Sequence, residues 1–226
     1  SALTVGARAH LDLSSSLVRM EEPSPFSRRG PGPGYILKPE VSHWGGNCSA
    51  SGDYMQTGVV SLDGNGHLVE NVGTSFATPL VSAIAGATRH ELIGVSSPSD
   101  PPTSALLKAL TVHSAFLKSA PMPYPIYSQY MGVGVPGDVS DLIACTQSSA
   151  TLILKIPVTP NPHFNKDPFP MPECLSASGV LKAEIFMTLL YEPPVDRDFG
   201  FEYCRVNVRA TLGTVRPSGY QPELHP

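Results

Sequence analysis

The chain has 226 residues and a mass of 24.0 kDa, with 15 Lys and Arg against 19 Asp and Glu, a formal net charge of −4. That balance, without any Lys/Arg cluster, excludes the concentrated basic footprint of a nucleic-acid binder, and no apolar run approaches the ~18 residues of a helical membrane span. Charged residues at 15% against 41% hydrophobic exclude a charge-solvated disordered chain, while 20 glycines and 24 prolines suit loops and short strands better than a helical bundle.

In chain order, residues 1–9 read as a short buried strand. Residues 22–34 (EPSPFSRRGPGPG) are turn-forming throughout, since Pro fixes φ and Gly accepts φ > 0. Residues 38–47 (KPEVSHWGGN) carry a brief strand into a Gly-Gly turn. Residues 59–62 and 67–70, joined through Asp63-Gly64-Asn65-Gly66, predict a hairpin. Residues 75–91 (SFATPLVSAIAGATRHE) are small and apolar on every side, which predicts a helix buried all round. Residues 103–119 repeat Leu106, Ala109, Leu110, His113, Phe116 and Leu117 at helical spacing, an amphipathic helix announced by Asp100-Pro101-Pro102. After a turn near Gly132, residues 139–144 form a short helix. The composition then shifts. Residues 151–156, 180–191 and 205–212 are strand-like between Pro-rich loops, which predicts a small antiparallel β-sandwich over residues 146–226 behind a first domain of residues 1–145.

Cys48, Cys145, Cys174 and Cys204 lie far apart with no CxxC, so no zinc site is expected. Buried free thiols are the plainer reading, and disulfides, with three connectivities possible for four cysteines, stay open. No loop has the clustered Asp/Asn spacing of a calcium site, and no cofactor is called for. The opening residues read as a strand and not as a signal peptide, and a start in mid-strand suggests a fragment.

The stretch carrying chemistry is Gly73-Thr74-Ser75-Phe76-Ala77-Thr78-Pro79, entering the small-residue helix. A serine at a helix mouth exposes its hydroxyl, leaves its own N–H unpaired, and sits where the helix dipole favours an oxyanion. Gly73, lacking Cβ, admits a close substrate backbone. The pattern G-T-S-x-A-x-P, expected by chance on the order of a few times in ten thousand chains of this length, resembles the nucleophile motif of subtilisin-like serine proteases (subtilases). Residues 1–7 (SALTVGA), 26–31 (FSRRGP) with 38–41 (KPEV), and 130–134 (YMGVG) with the helix at 139–144 also resemble that family's segments in family order.

The resemblance implies an incomplete subtilisin-like parallel-sheet core and a peptide or protein substrate. It implies Ser75 as nucleophile and oxyanion donor, with Gly73, Thr74 and Phe76 lining the substrate. Leu80 stands where the family often has a non-catalytic histidine. The family's order is Asp, His, Ser, and nothing in residues 1–74 resembles the Asp motif, the His-Gly-Thr motif or the oxyanion asparagine. The missing N-terminal part of the protease is therefore the implied partner, and the isolated chain is expected to be inactive, since a serine without a base is a poor nucleophile. A rearranged triad from His67 with Asp63 or Asp53 is the weaker reading. Arg28 and Arg29, the Glu21-Glu22 pair and Trp44 are expected to be structural or solvated. The alternative from a different class is a non-catalytic scaffold or partner-binding module derived from a subtilase.

Overall fold

The structure is a computed structural model. It describes residues 2–32, 36–119, 125–144, 146, 149–157, 164–172, 175–177, 180–181, 183–202, 206–216 and 219–222. Strands β1 (Val5–Arg8) and β2 (Val41–Trp44) pair in parallel, Val5 beside Val41 and Arg8 beside Trp44. Strands β3 (Val59–Leu62) and β4 (Leu68–Asn71) form the predicted hairpin, with Leu62 opposite Leu68. Helices α1 (Thr74–Val95) and α2 (Ser104–Lys118) follow, then the single-turn helices α3 (Ser128–Met131) and α4 (Val139–Leu142). Helix α2 starts where Thr103 caps it, its side chain accepting the Leu106 N–H.

Two apolar clusters hold this part together. Val41 of β2, Val81 of α1 and Ala115 of α2 meet beneath Leu3, Val5, Val112 and Val133. Leu92 of α1, Leu110 of α2 and Leu142 of α4 form the second cluster, with Ile84, Leu106, Leu107 and Ile143 against it. A polar clasp joins the sheet to α2. The Glu40 carboxylate accepts hydrogen bonds from the Thr4 N–H (2.8 Å), the Thr4 hydroxyl, Lys38 and Lys108 (2.7 Å). The outer edge of β1 is covered at Ala7 and Ala9 by residues 22–27, through the Ser27 hydroxyl, Ser24 N–H and Glu22 carbonyl. The outer side of β2 is tied to the turn at Gly134, whose carbonyl accepts the Ser42 N–H at 2.8 Å.

The helix expected to be buried all round is not. Among its residues only Ala77, Val81, Thr88 and Leu92 are buried, one stripe at helical spacing, because the strands, α2 and α4 pack against that side alone. Ala83, Gly86, Ala87 and Ile93 are exposed. Glu22 also departs from the solvated reading: its carboxylate accepts the Arg19 N–H (2.8 Å) and the Tyr127 hydroxyl (2.9 Å).

Among the described residues beyond 150 regular structure is sparse. The strand expected at 151–156 carries no ladder; of the one expected at 180–191 only Val180–Leu181 is paired, and residues 183–191 and 206–212 are irregular. The paired segments there are β5 (Ser176–Ala177) with β6 (Val180–Leu181) and β7 (Gly213–Arg216) with β8 (Gly219–Pro222), two separate antiparallel hairpins. Leu152, Ile153, Leu154 and Ile156 are exposed, and among the described residues no second sheet covers the apolar side that a strand there would present. This segment touches the first part through Phe186 edge-on to Phe116 and through the Thr188 hydroxyl on His113 (2.8 Å). Cys48 is a half-buried free thiol; Cys145, Cys174 and Cys204 lie outside the described residues. Among the described residues no helix is long and apolar enough to cross a membrane.

Candidate active site

Ser75 owes its place to a glycine and to the carbonyl that holds it. The chain leaves β4 at Asn71, turns at Gly73 and enters α1 at Thr74. Gly73 has φ of +152°, a conformation that side-chain-bearing residues rarely adopt. Its N–H donates to the Gly45 carbonyl at 2.9 Å, and the Gly45 N–H donates to the Arg8 carbonyl at 3.0 Å. A Cβ on Gly45 would fall 2.5 Å from the Ala7 Cβ and 3.0 Å from the Gly73 carbonyl oxygen. The bare glycine therefore lets β1, the end of β2 and the Gly73 turn close on one another. Ser75 is brought to the carboxyl ends of the parallel strands, the edge at which open α/β sheets hold ligands.

Ser75 is exposed, while Thr74 and Phe76 on either side are half-buried. The Phe76 N–H donates back to the Gly73 carbonyl at 3.1 Å, closing the turn. Among the described residues the Ser75 N–H and hydroxyl have no partner, as first-turn helix donors have none within the helix. No acidic residue lies in the first turn and no side chain caps it, so the positive end of the helix is uncompensated where it faces solvent. Pro79 lacks the N–H that would reach the Ser75 carbonyl four residues back. The arrangement joins an accessible hydroxyl to an unused N–H on the same residue. Chemically, these are the two kinds of group that an acyl-transfer site asks of one residue.

No described hydrogen bond joins a histidine to Ser75. His67 stands at the far end of β4, a strand of four residues that spans about 13 Å, and it pairs there with Asp63 (Nδ1 to Oδ2, 3.3 Å) across the hairpin turn. Asp53 spends an oxygen on the Met55 N–H at 3.0 Å. His43 is half-buried edge-on to Trp44, and its Nδ1 accepts the Trp44 N–H (2.8 Å). Burial, then the charge of Arg8, hold its pKa below the ordinary imidazole value. Burial also lowers the His10 pKa, with the charge of Glu70 opposing it. Trp44 takes the packing role read for it, the Arg8 guanidinium lying 5.0 Å from its ring centre. Among the described residues no cluster of three His, Cys, Asp or Glu could hold a metal ion.

Two residues that build the site escaped the sequence reading. Gly45 is one. The other is Asn47, fully buried, whose amide donates to the Leu11 (3.1 Å) and Val18 (2.7 Å) carbonyls while its backbone exchanges bonds with Thr57. The only signal is Gly-Gly-Asn at the end of β2, which as a sequence reads simply as a turn.

The family model for the subtilase family matches residues 1–149 of the chain. No match was found among curated proteins.

Proposed function

The chain belongs to the subtilase family of serine peptidases, and from that premise we propose that Ser75 is the nucleophile of an endopeptidase whose remaining catalytic groups are supplied by an upstream part of the same protease. What supports this reading is the exposed Ser75 hydroxyl beside its own unused N–H at the mouth of α1. In the assembled enzyme an upstream histidine takes the Ser75 proton, oriented by an upstream aspartate, and Oγ attacks the peptide carbonyl. The oxyanion is held by the Ser75 N–H and the helix end, and the histidine returns the proton to the leaving amine. Water then hydrolyses the acyl-enzyme. Gly73, Thr74 and Phe76 line the bond being cut, with Gly73 offering no Cβ to an approaching backbone. Residues 1–145 are read as the later part of the catalytic domain. Residues 146–226 are read as a β-rich appendage, for which the hairpins β5–β6 and β7–β8 speak.

Without a base, the isolated chain leaves Ser75 largely unreactive near neutral pH. The test is labelling by a fluorophosphonate. The protein expressed together with its upstream part labels at Ser75, Ser75→Ala abolishes the label, and the isolated chain labels far more slowly. A protein with its upstream part present that takes no label, or a label that survives Ser75→Ala, overturns the reading.

A further inference from the structure

Two loops rise from the carboxyl ends of the parallel strands beside the Ser75 turn. The first, residues 9–22 after β1, is closed at its base by Ala9, whose N–H donates to the Glu22 carbonyl (2.9 Å) and whose carbonyl accepts the Glu21 N–H (2.8 Å). This is an Ω-loop, a type of loop that is frequently functional. The second, residues 48–57, follows β2. Leu11, Leu13, Leu17 and Met20 of the first are 43–54% exposed and Met55 of the second is 63% exposed. Residues 11–20 hold only two charges, Asp12 and Arg19.

These apolar side chains are not on a slack surface. Buried Asn47 clamps the Ω-loop by its Leu11 and Val18 carbonyls, the Leu17 N–H donates to the Cys48 carbonyl (2.9 Å), and the Thr57 hydroxyl bonds the Asn47 carbonyl (3.1 Å). The two non-glycine residues with left-handed backbone among the described residues are Glu21 (φ 71°) and Gln56 (φ 65°), one in each loop. Strained backbone of this kind persists only where its surroundings enforce it, and it gathers at functional sites. Asn47 is two residues from Gly45, a span of about 7 Å, and Gly45 holds Gly73. Clamp and nucleophile turn are thus one continuous hydrogen-bonded unit.

We infer that Leu11, Leu13, Leu17, Met20 and Met55 form an apolar specificity surface that grips large apolar side chains of the peptide substrate away from the bond cut at Ser75. The inference rests on the proposed role of Ser75. An extended peptide advances about 3.3 Å per residue, and the step of about 7 Å from Gly45 to Asn47 corresponds to about two such residues, so the loops meet substrate residues other than those at the scissile bond.

The test uses the chain with Ser75 replaced by Ala and two blocked oligo-alanine octapeptides, one bearing leucine and the other glutamine at both ends. Affinity is read from the emission of Trp44, the one tryptophan in the sequence, and checked by calorimetry. The leucine peptide is expected to bind about tenfold or more tighter, as burial of a leucine side chain requires. Leu17→Gln with Met20→Gln, both at exposed positions, removes that preference. Equal affinity for the two peptides overturns the inference. So does a preference that survives the double substitution, or a concentration-dependent dimer that the substitution dissolves. Fluorophosphonate labelling of the protein with its upstream part is read separately: lost labelling with the leucine preference intact refutes the nucleophile alone, and intact labelling with no preference refutes the specificity surface alone.

Discussion

Glu40 is the sharpest place to test the energetics of the sheet that carries the site. Its side chain is 12% exposed, and it receives Thr4 by backbone and side chain, Lys38 and Lys108 at once. Burial alone would raise its pKa, but hydrogen bonds from Lys108, then Lys38, then Thr4 outweigh it and bring the value down from 4.5 to about 2. Unscreened, that shift is worth about 3 kcal/mol at roughly 1.4 kcal/mol per pH unit. Water reaches the carboxylate and screens its partners, so about 1–2 kcal/mol is the realistic contribution. Because the folded-state pKa is the lower one, the unfolded chain takes up protons first on acidification. The stabilisation is complete above pH 4.5 and lost as pH falls towards 2. Glu40→Gln keeps the shape, removes the charge and turns an amide N–H₂ towards groups that are themselves donors. Urea unfolding at pH 7 should show the variant less stable by about 1–2 kcal/mol, and at pH 2.5 the difference should shrink to about a quarter of that. An equal deficit at both pH values would refute the electrostatic account and leave only a packing defect. No deficit at pH 7 would refute the clasp altogether.

Three further outcomes follow from the same geometry. Gly45→Ala places a Cβ 2.5 Å from the Ala7 Cβ and 3.0 Å from the Gly73 carbonyl oxygen. It should cost about 1–3 kcal/mol by thermal melt and slow fluorophosphonate labelling of Ser75 in the protein with its upstream part, by displacing the Gly73 turn. Asn47→Ala leaves the Leu11 and Val18 carbonyls without their donor. It should cost about 2–3 kcal/mol and speed hydrogen exchange at the Leu17 N–H, whose bond to Cys48 depends on the same clamp. Thr103→Ala removes the cap on the Leu106 N–H and should cost about 1 kcal/mol in chemical denaturation, leaving Ser75 labelling unchanged.

What the sequence revealed and what it concealed divide along a physical line. The Gly73-Thr74-Ser75 turn, the hairpin at 59–71 and the two long helices rest on contiguous residues, whose backbone preferences and periodicity are written in order along the chain. Helix α1 misled in one respect. Small apolar residues on every side state that the helix tolerates close neighbours all round, but which sides receive them depends on elements elsewhere in the fold, and here one stripe is covered. The strand expected at 151–156 is irregular for a related reason: β-propensity describes a segment suited to a half-buried pleated surface, and residues 151–157 have, among the described residues, no partner strand to make one.

The supports of Ser75 were hidden because each is a bond between segments that no local pattern connects. Gly45 is separated from Gly73 by 28 positions in the sequence, and Asn47 from Leu11 by 36, yet both pairs meet within hydrogen-bond distance. A lone Gly or Asn after a strand has many uses, and only the approach of a second backbone decides among them. A candidate nucleophile can therefore be named from seven adjacent residues, whereas the scaffold that holds it becomes visible only when the strands are laid side by side. That scaffold runs without a break from the Ω-loop through Asn47 and Gly45 to Gly73. A disturbance at Leu11 should accordingly be felt at Ser75 through hydrogen bonds that no reading of either segment alone would anticipate.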